Sequence, residues 1–427
     1  MKKLLVLLVL ACLVLAVVPG AVAQDKITIS IVAGEWWYSE EGLSSVGGSI
    51  AGNEQLNEYR ELNPNIEFDV RGVPFPELDS TQLAAMESGQ GPDIMIVNSV
   101  TVGSFIDRGY LMPMNEYIEA NGLDTSQFFP GLYNSAVIGD QVYGLPLDTG
   151  TRLLYYNKAM FEAAGVEPPT TWEELPAVAE QMTDADNGVY GLVATTGERW
   201  VSLYEHLGMY ALANNLNFVN ADATECVLNQ GDNVQAIQYW VDLFGKGVMS
   251  QDLLLTDPGT GREQAFGNGK AAMFFGGFWA ADVLKADYEM TYPEDYGIVP
   301  LAGKDGDMAS STGGWIFTLT RDSQHPQEAL DYIAWVLSDG DRLSKFTTIM
   351  PSTEAASKLS LQGEFYEPFK MLLAQPNTRH PIPLNPGLPE QAEVLRNVLQ
   401  SALLGDMTAQ EAADSFCQQI EGTLFQP

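Results

Sequence analysis

The chain has 427 residues, 46% of them hydrophobic and 18% charged, with a formal charge of −35. That length suits two domains better than one core, and no repeat of roughly 20–50 residues points to a solenoid. The acidity argues against nucleic acid, whose phosphates need a basic face, and against docking on an anionic membrane by charge.

The N-terminus predicts a secretory signal peptide over residues 1–23. Lys2 and Lys3 form its basic region, Leu4 to Val18 its apolar core, and Ala21-Val22-Ala23 a small-residue cleavage site. Cys12 lies within the apolar core and is followed by signal-like residues rather than a polar tether, so it reads as part of the signal. Cleavage leaves two cysteines, Cys226 and Cys417. An exported chain favours a disulfide between them over two buried thiols.

The next segment reads as strand, helix, strand, helix, strand. The strands are "ITISIVAG" (27–34), "NIEFDVRGV" and "GPDIMIVN". The helices are "IAGNEQLNEYREL", stopped by Asn63-Pro64, and "ELDSTQLAAMESGQ". This is the pattern of a parallel sheet with helical crossovers. A polar knot follows, Asp148-Thr149-Gly150-Thr151-Arg152, then a strand at Leu153–Tyr156 and a helix stopped by Gly165. Thr171 and Glu174 form a capping-box signature before "LPAVAEQM". Further along come a helix within 232–247, strands at 269–277, 296–303 and 313–320, and an amphipathic helix at 325–337. The tail reads as two helices split at Gly405-Asp406.

Several of these segments, in this order, resemble extracellular solute-binding proteins of the carbohydrate-uptake class, the group that includes maltose-binding proteins. They are "GPDIMIVN", "GYLMPMNEYI", "YGLPLDTGTRLLYYNKAMFEAAGVEPPTTWEEL", "AFGNGKAAMFFGGFWAA", "YGIVPLAGKDG" and "GGWIFTLTRDSQHPQEALDYIAWVLS", with "MTAQEAADSF" near the end. The resemblance implies an α/β fold: a two-lobed, periplasmic-binding-protein-like clamshell, each lobe a mostly parallel sheet flanked by helices. By the same analogy, one lobe spans 25–145 plus 298–352 and the other 146–297 plus 353–427. It also implies an extracytoplasmic monomer that captures a sugar or oligosaccharide and delivers it to the permease subunits of an ABC importer. Two alternatives stay open: a secreted carbohydrate-active enzyme, or the same fold holding a polyol, a peptide or an osmolyte.

A sugar needs flat rings for its C–H faces and a few fixed polar groups for its hydroxyls. Aromatic residues just after strands are therefore candidates: Trp36, Trp200, Tyr204, Trp279 and Trp315. One of the pair Trp36-Trp37 is expected to be buried, and Trp172, Trp240 and Trp335 read as core. Gly313 and Gly314 precede Trp315 and permit close backbone approach. The polar candidates are Glu35, Asn98, Asp148, Thr149 and Arg152. Asp93 follows Pro92 at a strand entrance and reads as a turn tie instead. The loop "NTRHPIPLNPGLPEQAEV" lacks the stacking ring that maltose-type members place near here, which argues against a long maltooligosaccharide.

No catalytic, metal or cofactor site is expected. "GTGREQAFGNGKA" lacks the Gly spacing of a phosphate loop, and Ala271 stands where Ser or Thr should follow Lys270. "DADNGVYG" breaks the calcium-loop pattern at Gly188. His206, His325 and His380 are scattered, and there is no Gly-x-Ser-x-Gly elbow.

Overall fold

The computed structural model describes residues 26–38, 51–197, 202–254, 261–347, 350–353, 355–356, 363–375 and 377–424. The signal peptide expected over 1–23 and the candidate Trp200 lie outside these residues. The strands, in chain order, are β1 (Ile27–Gly34), β2 (Ile66–Val73), β3 (Ile94–Asn98), β4 (Val137–Ile138), β5 (Gln141–Val142), β6 (Leu145–Gly150), β7 (Leu153–Asn157), β8 (Tyr190–Val193), β9 (Ala271–Gly276), β10 (Tyr296–Val299), β11 (Gly313–Leu319) and β12 (Met350–Pro351). They build a six-stranded sheet in the order β12-β6-β11-β3-β1-β2, a four-stranded sheet in the order β10-β7-β9-β8, and the small β4–β5 ribbon.

Both large sheets are mixed rather than mostly parallel, which corrects the sequence expectation. β1 runs parallel to β2 and β3, as the strand–helix alternation predicts. β11, however, is antiparallel to β3 and β6, and β12 is antiparallel to β6. In the second sheet only the β8–β9 pair is parallel; β7 is antiparallel to β9 and β10. Connectivity is the cause. β6 leads directly from the first sheet into β7 of the second, and the chain from β10 leads back into β11. Strands that pass between two sheets need no crossover helix, so nothing holds them parallel to their neighbours.

Two sets of core residues go with the two sheets. The first runs from Ile29 to Leu147 and from Trp315 to Phe346, with Ala356. The second comprises two adjacent clusters drawn largely from Leu153 to Ala309 and from Phe369 to Ile420. β10 pairs with β7, and Leu301 and Ala309 belong to the second core. Trp172 and Trp240 are core residues as expected, with Trp172 stacked on Phe275 at 5.1 Å between ring centres.

Local signals explain several element ends. Glu174 reaches back to the Thr170 N–H and hydroxyl, and Thr171 Oγ1 accepts from Glu174 N; the helix proper starts at Leu175, with Pro176 in its first turn. Thr408 and Glu411 form a full capping box for the last helix, Ala409–Ile420. Gly405, at φ 82°, ends the preceding helix Leu388–Leu403. Asp93 accepts from Ser30 N and Oγ, Ser323 Oγ, Gln324 N and His325 N, tying β1 to the start of helix Pro326–Leu337. Partial burial acts to raise its carboxyl, but these donors hold it below the usual range. Cys226 and Cys417 are joined by a disulfide.

Candidate ligand-binding cleft

The carboxyl ends of β1, β2 and β3 carry the first wall. β1 turns at Gly34 into the short helix Glu35–Trp37, β2 ends before Pro74-Phe75, and β3 ends at Asn98. In an α/β sheet this is the edge where ligands bind. Trp315 on β11 lies opposite Asn98 in the register, so its ring joins the same edge. Trp315 packs edge-on against Trp36 at 5.3 Å and Trp37 at 5.1 Å, and Phe75 lies 6.1 Å from Trp36. Both Trp36 and Trp37 are buried, where one had been expected. Phe75, by contrast, is 37% exposed.

A cavity of about 560 Å³ opens over this wall. Phe75, Asn98 and Trp315 line its first-lobe side, with Thr101 and Arg108 nearby. The second-lobe side is Gly197, just beyond β8, and the segment from Pro386 into the first turns of helix Leu388–Leu403. Two lobes thus meet across a volume within the roughly 300–1,000 Å³ usual for small-molecule sites. Asn98 Oδ1 accepts from Val100 N at 3.1 Å, while Nδ2 finds no acceptor among the described residues. It is available to a ligand oxygen.

The polar knot has a different place. Asp148 is fully buried on β6; Oδ1 accepts from Trp315 N at 3.1 Å and Oδ2 from Thr347 Oγ1 at 3.0 Å. Burial pushes its carboxyl well above the usual range, against the pull of those two donors. Asp148 therefore ties β6 to β11 and is not among the residues that line the cavity. Thr149 is also buried, paired with Gly314 and Met350. Gly314 serves packing: a Cβ there would lie 1.9 Å from the Asp148 carbonyl oxygen. Glu35 is half-buried beside Gly72 and does not line the cavity.

Arg152, Tyr204, Trp279 and Gly313 form a second group, apart from the cavity lining. The Arg152 guanidinium lies 4.6 Å from the Tyr204 ring centre and 5.1 Å from that of Trp279. It donates to the carbonyls of Gly150 at 3.2 Å and Ser311 at 3.4 Å. Burial lowers its pKa to about 10, so it stays charged at neutral pH. Tyr204 sits on a π-helix, Ser202–Gly208, a form often found at functional sites. Its hydroxyl lies 2.7 Å from His380 Nε2. His380 Nδ1 faces the Ile382 carbonyl, which can only accept, so Nδ1 carries the proton and Nε2 accepts from Tyr204. Burial lowers the His380 pKa to about 3 and keeps it neutral. Gly313 makes room for that hydroxyl: a Cβ would stand 2.7 Å from it. Beneath the π-helix, Arg262 bridges Glu205 and Glu263, all three buried.

Sequence reasoning missed Phe75, Glu393 and Arg396. Phe75 follows the end of β2, so the rule that selected Trp36 would have selected it. Arg396 lies about two turns inside the helix Leu388–Leu403, and no local pattern turns it toward a cleft.

The profile of the bacterial extracellular solute-binding protein family matches residues 46–342. The chain belongs to that family. Relatives include a putative binding protein of Brucella abortus, 24% identical over 366 residues, covering 82% of this chain and 84% of the relative. The sn-glycerol-3-phosphate-binding periplasmic protein UgpB of the same organism is 24% identical over 416 residues, covering 89% of this chain and 90% of its own. Among solved structures, a solute-binding protein of Thermotoga lettingae bound with alpha-D-tagatose superposes with a TM-score of 0.80 at 23% identity, covering 94% of this chain and 100% of that one. The GacH receptor of Streptomyces glaucescens, solved unliganded and with acarbose, gives 0.80 at 21% identity, covering 94% and 99%. These likenesses establish the two-lobed fold of this family member. No helix among the described residues is long and apolar enough to cross a membrane.

Proposed function

We propose that this solute-binding protein captures a sugar, oligosaccharide or related polyol in the cleft and presents it to the permease of an ABC importer. In this reading the chain is exported by a cleaved signal peptide, works as a monomer and performs no chemistry on its ligand. The carrying observation is the cavity itself: one wall is Phe75, Asn98 and Trp315, the other Gly197 and the 386–396 segment. Rings beside a free amide donor suit the C–H faces and hydroxyls of a sugar. In this reading β1 to β6 with β11 and β12 belong to one lobe, and β7 to β10 with the last helices to the other.

A ligand touching both walls stabilises the closed arrangement only by its differential affinity for it. Small-angle scattering with a panel of mono- and oligosaccharides and polyols should give a smaller radius of gyration with the cognate ligand. The same ligand should raise the melting temperature, since saturation at about 100 times the dissociation constant adds roughly 2.7 kcal/mol. Binding without compaction would refute the closing mechanism. Cleavage of a labelled oligosaccharide would replace the binding role with an enzymatic one.

A further inference from the structure

Among the described residues, each cation that lines the cavity already has a carboxylate partner, and we propose that this selects neutral polyhydroxyl ligands over phosphorylated ones, with Glu393 as the residue that sets the choice. The inference rests on the reading of this cavity as the ligand site.

Among the described residues, five ionisable side chains line it: Asp79, Glu390 and Glu393 against Arg108 and Arg396. Each guanidinium is already engaged. Arg108 pairs with Glu87 at 3.4 Å. Arg396 pairs with Glu393, one turn back on the same helix, and also donates to the Gly197 carbonyl at 2.9 Å and to Asn397 Oδ1 at 3.1 Å. The bond to Gly197 fixes Arg396 across the second-lobe wall, so its charge is held in place and neutralised there. Glu390 is exposed in the first turn of helix Leu388–Leu403, where the positive helix end favours its ionised form.

A phosphate ester carries a charge of about −1.5 to −2 at neutral pH. In this cavity it meets a carboxylate excess, on a protein whose formal charge is −35. To gain a guanidinium it must displace Glu393 or Glu87. A sugar hydroxyl faces no such conflict, because it donates to a carboxylate and accepts from an N–H with the same group. Phe75 and Trp315 supply the apolar faces for its ring. Selectivity therefore comes from carboxylates that repel the wrong ligand as much as from contacts to the right one. The ligand in the name of the UgpB relatives does not carry over to this chain.

Calorimetry on the mature protein tests this with glucose, maltose, maltotriose and glycerol as neutral probes. The phosphorylated probes are phosphate esters of the same sugars and sn-glycerol-3-phosphate. The expected result is binding within the neutral set that is insensitive to salt, and binding of every phosphate ester at least about tenfold weaker than its parent. Glu393→Gln should raise affinity for the phosphate esters about tenfold and make it fall with salt, as a freed guanidinium would. Adding Arg396→Gln should erase that gain. A wild-type preference for a phosphate ester overturns the inference and leaves the binding-protein reading standing. Unchanged phosphate affinity in Glu393→Gln overturns the role of Glu393. Failure of every probe to bind removes the cavity reading and the inference together.

Discussion

Asp148 illustrates how one buried carboxylate can look like a ligand group and act as a joint. It takes a backbone donor from β11 and a hydroxyl from Thr347, with no exposure to solvent. Its raised carboxyl binds a proton more tightly in the fold than in the unfolded chain, where the value is about 3.9. Such a group gives its full contribution to stability below that value and loses it as pH rises through the raised one. Asp148→Asn keeps an acceptor for Trp315 N and removes the titration. Its melting temperature should therefore gain on wild type steadily from about pH 4 to pH 7. Asp148→Ala removes the acceptor and should destabilise by about 1–3 kcal/mol across the same range. A constant offset for Asp148→Asn would mean that the carboxyl does not titrate in this window. The polar knot was legible in the sequence as a special place. Its burial was not, because an Asp between a Leu and a Thr reads the same on a cleft wall as inside a sheet.

The elements follow the same rule: local signals are readable and long-range pairing is not. The Thr171–Glu174 turn, the capping box at Thr408, the stop at Gly405 and the β1–helix–β2–helix–β3 run are all written locally. The antiparallel placement of β6, β7, β10 and β11 depends on where the chain changes sheets. A short apolar run carries no mark of that. The last helix, Ala409–Ile420, gives a clear test. It packs along Leu388–Leu403 and is anchored to the loop at Cys226 by a disulfide spanning 191 residues of sequence. Closing so long a loop restricts the unfolded chain strongly. A Cys226→Ser, Cys417→Ser pair should lower unfolding free energy by about 2–5 kcal/mol, read from denaturant curves fitted with each protein's own slope, which should rise as the unfolded chain expands. Ligand affinity should hold, since neither cysteine lines the cavity. A large fall in affinity would tie this helix to the cleft.

At the scale of the molecule, Arg152 touches both strand-to-strand passages seen between the two sheets among the described residues. It donates to Gly150 on the outgoing passage and to Ser311 on the return, and its guanidinium rests on Tyr204 and Trp279 of the second lobe. The residue therefore ties the relative placement of the lobes to the ring pair without lining the cavity. Removing it costs two charge-assisted hydrogen bonds and the ring contacts, together about 2–4 kcal/mol. Arg152→Ala should accordingly lower the melting temperature and broaden the distribution of radii in ligand-free scattering. The cavity walls are untouched by the change, so saturating ligand should still compact the variant to the wild-type radius. It should do so only at a higher concentration, because binding must now order the joint as well. Loss of compaction at saturation would instead place the guanidinium on the ligand. An unchanged melting temperature would mean that the strands alone hold the joint.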